Sequence, residues 1–573
     1  MLIVGINSSG YVSSAAVVVD GELVFACAEE RLDRRKFSKY FPMNAIRAGL
    51  EHVGARWSDV DCFAIGFNPA INVAGRMRAG FSEWPAHPGQ RLYSNANYLL
   101  PELGTDQGFT ETMQIFRRGT GREHRLRFVT HHLAHAANAF LLSGAEAAAV
   151  LTCDGYGERA TTTWSRATAE GITTIREVSF PHSIGSIYAT LTQFLGFRPN
   201  ADEWKIMGAA GHGDPSRYYD SLRRLVAWDD EGRFEVDLSY FNYFDFDVSP
   251  MYRPKLEALL GPPRQSGEPL EQRHYDLAAG VQRLTETYLA AALRALEADC
   301  DSRCVCVSGG VFMNSVFNGK AALESSFERV FVPYAPDDNG NSIGAALWVA
   351  WQEGVLAPGR MASATPFLGR AYDADTLRRT LEDCRLSYRC STDIAADVAA
   401  LIESGKIVGW FQGRMEFGDR ALGNRSILAD PRDASVRDRL NAAVKHREAF
   451  RPFAPAILDS AVGDYFDLTR PITSPYMEKV LPVRASMRAR VPAIVHADGT
   501  ARLQTVRRED NPLFYDLIDA FRRRTGVPLV VNTSFNVNGE PIVESHTDAI
   551  RTFYTSGLDA LALGPYLLCK GGA

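Results

Sequence analysis

LIVGINSSGYVSSAAVVVDGELVFACA, residues 2–28, sets the terms of the fold. The apolar runs LIVGI and AAVVV flank a polar stretch containing Gly10, and Asp20-Gly21 separates the second run from ELVFACA, so three short strands joined by tight turns are predicted. The pattern returns at residue 147 as AAAVLTC, the turn Asp154-Gly155-Tyr156-Gly157-Glu158, the run ATTTWSRA and a further strand ending in ITTI at 175. A strand, a polar turn and a second strand, occurring twice, point to a duplicated unit.

Two phosphate-facing hairpins across one cleft are the arrangement of the actin-like ATPases and sugar kinases, which this repetition resembles. Further along, RCVCVSGGVFMNSVFNGKAALES (303–325) reads as a buried strand, a glycine turn and a helix, and PDDNGNSIGAALWVAWQEG (336–354) as an acidic turn entering another helix. Between 356 and 372, LAPGRMASATPFLGRAY loses periodicity and gains Pro and Gly, the expected boundary between a domain at 1–365 and a second at 372–573. In that second part DIAADVAALIESG reads as a helix, and KIVGWF, PLVVNTSF and ALALG as buried strands, so it too is α/β.

The chain of 573 residues has room for about three to five structural units. Its 46% hydrophobic and 23% charged residues are globular values, and 62 Lys plus Arg against 68 Asp plus Glu give a net charge of -6, so no overall basic field favours nucleic acid or an anionic membrane. Apolar stretches such as AFLLSGAEAAAVL (139–151) and SIGAALWVAW (342–351) fall short of the ~20 residues of a membrane helix, so no membrane association is expected. The N-terminus has no basic region before its apolar run and reads as a strand, not a signal peptide; with nine scattered cysteines, the expected compartment is a reducing cytoplasm. Cys304 and Cys306 alternate along one strand face, next to Cys300 and no histidine, and read as packing residues.

The strongest local chemical signal is His131-His132-Leu133-Ala134-His135, before the helical AANAFLLSG. His131 and His135 lie one helical turn apart, a spacing at which two imidazoles hold one metal ion, or else cap and surface a helix. Asp338, in an acidic turn at a helix start, is a natural third ligand. Gly309 and Gly310 let backbone approach a nucleotide; a plain strand–helix turn reads the same way. From 414 to 451 the chain carries Arg414, Arg420, Arg425, Arg432, Arg437, Arg439, Lys445, Arg447 and Arg451 among glycines and prolines. These are forked donors on ordered loops, suited to a small phosphate or carboxylate or to a salt-bridge network. Asn532-Thr533-Ser534 adds amide and hydroxyl donors at a strand end.

Taken in order, EERLDRRK, HHLAHAANAF, DGYGE, EWKIMG, SGGVFMN, DDNGNSIGAA, GRMEFGDRALGNRSIL, KHREAFRPFAP and NTSFNVNGEPIV resemble the NodU/CmcH family of O-carbamoyltransferases over nearly the whole chain. The resemblance implies an N-terminal, actin-like (Kae1-like) duplicated domain and a C-terminal YrdC-like α/β domain. It implies that His131, His135 and Asp338 hold Fe(II) or a similar divalent ion against ATP phosphates, that Gly309, Gly310 and Asn314 contact the adenosine, and that Mg2+ accompanies ATP. Lys36 matches the family lysine near the reacting carbamoyl group, Glu203 and Lys205 match the pair of the family's GEYK-like segment, and Lys36, Asp154 and Lys205 are the expected catalytic residues. Arg420, Lys445, Arg451, Arg502, Thr533 and Ser534 match a carbamoyl phosphate site. The implied reaction releases carbamate from carbamoyl phosphate, passes it internally to ATP to form carbamoyl adenylate, and transfers the carbamoyl group to a small-molecule hydroxyl.

Tyr11-Val12 stands where family members usually carry His-Asp, and a phenol with a pKa near 10 does not replace an imidazole base. Asp154 or His212 as base, an amine acceptor, an unusual acceptor, or a non-catalytic ligand-binding protein are the alternatives this leaves. Gly418-Asp419-Arg420 has Asp where Pro is commoner. A tRNA threonylcarbamoyl enzyme and a sugar kinase are rival readings, the first opposed by the acidic balance and the second by HHLAH and the added domain. The aromatic stretches near 68–120 and 214–270 are candidates for the acceptor pocket or for contacts in a homodimer.

Overall fold

A computed structural model describes residues 1–68, 125–245, 248–357, 359, 365–445 and 453–570, with Ala443 and Lys445 described by their backbone alone. β1 (Leu2–Ser8), β2 (Ser13–Val19) and β3 (Glu22–Ala28) form an antiparallel meander. β4 (Cys62–Ile65) and β5 (Arg125–Phe128) continue the sheet in parallel on the β1 side, in the order β3-β2-β1-β4-β5. The arrangement is then repeated: β6 (Ala148–Cys153), β7 (Ala160–Thr168) and β8 (Gly171–Ser179) form the second meander. After a small hairpin of β9 (Val226–Trp228) and β10 (Phe234–Val236), β11 (Cys304–Ser308) and β12 (Arg329–Phe331) add in parallel on the β6 side, in the order β12-β11-β6-β7-β8. The two sheets have the same strand order and senses, so the repeated hairpins of the sequence are two copies of one actin-like α/β unit. β1 and β6 are central and covered on both faces, so they read as continuous apolar runs without alternation.

The helices of this part include α1 (Met43–His52), which packs on β2 and β3, and α2 (His131–Ser143) and α3 (Gln272–Asp299), which supply residues at the site. Every residue of α2 except Leu133 is buried, the signature of a helix enclosed on all sides. Beyond it come α4 (Ser315–Glu324) and α5 (Gly340–Gln352), and α5 packs along α2. That approach requires glycine at 344, where a Cβ would stand 1.9 Å from the Ala134 carbonyl oxygen.

The chain forms two compact units, Met1–Glu29 with Phe37–Asn314 and Glu324–Ser363, and Glu30–Lys36 with Ser315–Leu323 and Ala364–Ala573. The second unit is therefore not one contiguous stretch. Its sheet comprises β13 (Arg389–Cys390), β14 (Val408–Phe411), β15 (Arg425–Ala429), β16 (Ala454–Leu458), β17 (Lys479–Pro482), β18 (Thr500–Val506), β19 (Leu529–Ser534), β20 (Ala560–Leu563) and β21 (Tyr566–Cys569). They run in the order β13-β21-β20-β14-β15-β19-β16-β18-β17. α6 (Ile394–Glu403) and α7 (Pro512–Thr525) pack on each other over this sheet. Among the described residues no helix is long and apolar enough to cross a membrane.

The aromatic stretch read as an acceptor surface divides. Residues 69–120 lie outside the described residues, whereas Tyr240, Phe241, Tyr243 and Phe244 are buried, with Phe241, Tyr243 and Phe244 in ring contact and the Tyr243 hydroxyl donating to Pro181 O at 2.6 Å. They stabilise the fold by burial, because rings so enclosed have no face left for stacking.

Candidate active site

α2 begins directly after β5 and has no side-chain cap of its own. Glu158, the last residue of the second hairpin turn, fills that role: its carboxylate accepts the His131 backbone N–H at 3.0 and 3.1 Å. The turn is thus fastened to the first turn of the histidine helix. On the face of α2 turned to the hairpin, His131 Nε2 and His135 Nε2 stand 3.1 Å apart and reach Asp154 Oδ2 at 3.1 and 3.0 Å. Asp338, just before α5, brings Oδ1 to 3.4 and 3.5 Å from the same two nitrogens. Its other oxygen accepts from Ser9 Oγ of the first hairpin turn at 2.7 Å. Four donor atoms therefore converge within 4.8 Å of one another, drawn from α2, the second hairpin turn and the turn before α5.

Electrostatics bind the cluster together. Burial pulls His135 down, but Asp154 and Asp338 outweigh it and push its pKa up to about 9; His131 is raised by the same balance. Burial works to raise Asp154, yet the two imidazoles hold it well below the usual carboxylate range. His132, by contrast, is held well below its ordinary value by burial and by its histidine neighbours, and its Nδ1 sits 2.6 Å from Thr152 Oγ1.

The donor set fits a divalent cation. Nitrogen–nitrogen and nitrogen–oxygen separations near 3 Å are those of adjacent ligands on an ion held at about 2.1 Å. The surroundings fit as well: Ser308 Oγ lies 3.3 Å from His135 Nδ1, and the Asn341 amide lies 3.2 Å from His131 Nδ1. Asn341 Oδ1 is buried with no hydrogen-bond partner among the described residues. Turned over, that amide would accept Nδ1–H of His131 and leave Nε2 to a cation, the outer-shell arrangement usual for ligating histidines.

The expected ligands His131, His135 and Asp338 are brought together, and Asp154, expected as a base, joins them as a fourth. A carboxylate so strongly held in its ionised form is a weak proton acceptor. Ser308, Asn341 and Glu158 were not singled out by the sequence.

The glycine turn follows β11 at the edge of this cluster. Gly309 has φ +104°, and a Cβ there would meet Cys153 O at 2.2 Å; its N–H donates to Pro336 O at 2.7 Å. Gly310 lies against the Asp154 carboxylate. Asn314 is held in a reciprocal amide pair with Gln282 of α3 at 2.9 and 3.0 Å. Lys205 pairs with Asp202 at 3.2 Å and lies near the Phe197 and Trp204 rings, while burial pushes the Glu203 carboxyl up to about 7. His212 is exposed and faces the Tyr275 ring. Lys36 is exposed and belongs to the Glu30–Lys36 segment of the second unit.

In the second unit, register places several expected donors at one end of the sheet. β19 runs antiparallel to β16, pairing Asn532 with Ala454, and β16 runs parallel to β18, pairing Ala456 with Gln504. Thr533 and Ser534, Arg502 and the start of β16 therefore share one edge. Asn532 Nδ2 donates to Ala421 O at 3.1 Å and to Gln504 Oε1 at 2.8 Å, and Gln504 Nε2 donates to Leu422 O at 2.9 Å, which ties the Arg420 loop to the same edge. Arg502 Nε donates to Ser315 Oγ at 3.2 Å. Arg451 and the side chain of Lys445 lie outside the described residues.

Arg425, Arg414, Arg432 and Arg439 are engaged by groups of the protein itself. Arg425 is fully buried, donates to the carbonyls of Gln412 and Asn424 at 2.6 and 3.0 Å, and lies 3.7 Å from the Phe411 ring centre; burial pulls its pKa down to about 10. Arg414 donates to Leu368 O and Gly369 O, Arg432 pairs with Asp430, and Arg439 donates to Gly405 O. Glu416 Oε1 accepts the N–H groups of Leu422, Asn424 and Arg425. These groups hold the loops in shape, because loops this irregular leave backbone polar groups that side chains must satisfy.

A doubled actin-like α/β unit carrying an enclosed imidazole–carboxylate cluster, and an α/β unit whose sheet edge carries Arg502, Thr533 and Ser534, define the class. Family models described as carbamoyltransferase N-terminus and carbamoyltransferase C-terminus match residues 2–347 and 399–570, and the chain belongs to that carbamoyltransferase family. It is 37% identical to nodulation protein NolNO of Sinorhizobium fredii over 98% of this chain and 80% of that protein. It is 39% identical to nodulation protein NolO of Bradyrhizobium diazoefficiens over 77% and 79%. Among solved structures, HypF of T. kodakarensis aligns at 14% identity over 63% of this chain and 49% of that one, with a TM-score of 0.32.

Proposed function

We propose that the protein transfers the carbamoyl group of carbamoyl phosphate, by way of an ATP-dependent carbamoyl adenylate, to a hydroxyl of a small molecule. The observation that carries this reading is the convergence of His131 and His135 of α2, Asp154 of the second hairpin turn and Asp338 before α5 in a chain of the carbamoyltransferase family. In this reading Arg420, Arg502, Thr533 and Ser534, with Lys445 and Arg451, bind carbamoyl phosphate, and their fixed donors stabilise the departing phosphate. Carbamate then attacks the α-phosphorus of ATP, giving carbamoyl adenylate and pyrophosphate. His131, His135, Asp154 and Asp338 would hold a divalent ion, which supplies Lewis acidity and a template for phosphate oxygens. The chain's own contribution is orientation: Ser9 fixes Asp338, Glu158 fixes the start of α2, and Ser308 and Asn341 fix the imidazole rings. The acceptor hydroxyl attacks the carbonyl of the mixed anhydride and AMP leaves.

The test is product analysis of the purified protein with carbamoyl phosphate, ATP, Mg2+ and Fe(II), without acceptor. Phosphate and pyrophosphate are expected together. Release of ADP, or no pyrophosphate under any of these conditions, would refute the adenylate route.

A further inference from the structure

Tyr11 belongs to the turn between β1 and β2, and Tyr156 to the turn between β6 and β7. They are 145 residues apart in the chain, one from each copy of the duplicated hairpin, and the Tyr11 hydroxyl donates to the Tyr156 hydroxyl at 2.9 Å. Their rings meet edge to face, with centroids 5.9 Å apart and planes at 72°. Tyr156 is backed by Phe180 at 5.2 Å, and Phe180 by the anchored Tyr243 at 6.2 Å. Each turn is also tied inward to the same cluster, the first through Ser9 and Asp338 and the second through Asp154. The phenol pair is thus a direct side-chain bond from turn to turn, two residues beyond Ser9 in the first turn and two beyond Asp154 in the second.

We propose that Tyr11 and Tyr156 are a positioning pair that holds the two hairpin turns at a fixed spacing around a nucleoside triphosphate, so that the bound nucleotide leaves only when this bond opens. The proposal rests on the nucleotide reading given above. A phenol–phenol bond suits the task because it is neutral and competes neither with the phosphates for a cation nor with the carboxylates for the imidazoles. It is also rigid, since each ring is fixed by two torsions and the second is braced by Phe180.

The test is stopped-flow release of N-methylanthraniloyl-ATP, chased by unlabelled ATP, from the full chain with Mg2+. Wild type, Tyr11→Phe, Tyr156→Phe and the double variant are compared, each with its thermal midpoint without nucleotide. Loss of one neutral hydrogen bond predicts release about fivefold faster in each single variant. Both substitutions delete the same bond, so the double variant should release no faster than either single one, with midpoints unchanged. Wild-type release rates in both single variants, or effects that multiply in the double variant, would overturn the proposal. Failure of the wild type to bind the labelled nucleotide would remove the nucleotide reading itself, and the pair's role with it.

Discussion

Replacing Gly344 by alanine touches no residue of the cluster, yet it should empty the site. The added Cβ would lie 1.9 Å from Ala134 O, 2.7 Å from Ala134 C and 3.0 Å from Asn138 N, all backbone atoms that cannot turn aside. Ordinary contact begins at 3.4 Å, so α2 and α5 must part by about 1.5 Å. Ala134 adjoins His135, and Asp338 stands just before α5, so the parting opens the cluster directly. A cation tolerates ligand displacements of only about 0.2 Å, and altering even a supporting residue commonly weakens metal binding by about 10–100-fold. Fe(II) affinity in the Gly344→Ala protein should fall by at least about 100-fold, with an overpacking destabilisation of about 1–3 kcal/mol. Anaerobic equilibrium dialysis with metal analysis reads the first effect and thermal unfolding the second. Wild-type affinity in a folded Gly344→Ala protein would show that the α2–α5 spacing does not set the site.

Three further outcomes are expected. His135→Ala should abolish Fe(II) retention and pyrophosphate formation while leaving phosphate release from carbamoyl phosphate intact; loss of both activities would deny the separation of roles. Asn532→Ala cuts the bonds to Ala421 and Gln504 that hold the Arg420 loop, and should raise KM for carbamoyl phosphate about 10-fold in a phosphate-release assay, an unchanged KM counting against that edge as the site. Because burial raises Glu203 from 4.5 to about 7, the folded protein holds a proton there that the unfolded chain gives up, so stability falls as pH rises from about 4.5 to about 7 and then levels. Glu203→Gln should remove that slope and be more stable at pH 8 by up to about 3 kcal/mol; an equal gain at pH 5 and pH 8 in urea unfolding would refute the assignment.

The duplicated hairpins were legible because central strands covered on both faces must be apolar throughout, and because tight turns demand residues such as Asp20-Gly21. His131 and His135 were legible because helical spacing is a local rule. Asp154 was visible as a reactive carboxylate but not as a partner of the histidines, since only the fold lays the β6–β7 turn against α2. Asn341 and Ser308 sit inside a helix and at a strand end, where sequence registers only their secondary structure. The arginine loops misled in the other direction: a guanidinium offered to a ligand and one buried among carbonyls, as at Arg425, are written with the same residue. Lys36 could be read beside EERLDRR, but which unit claims that segment is decided by Arg31 and Arg34, which donate to Gly418 O at 3.1 Å and Ile542 O at 2.6 Å.

That ownership has a consequence for biosynthesis. Within the second unit, Asn318 of α4 donates to Glu478 O at 3.0 Å and Arg470 donates back to Ala322 O at 2.6 Å. Ribosomes add roughly 5–20 residues per second, so α4 emerges on the order of ten seconds before β17 exists to receive it, and Glu30–Lys36 waits longer still. The nascent first unit must therefore carry two unfinished segments through most of translation. A cut made between 363 and 364 would leave them with the wrong half permanently, and the C-terminal fragment should need peptides spanning 30–36 and 315–323 supplied in trans to recover its native stability.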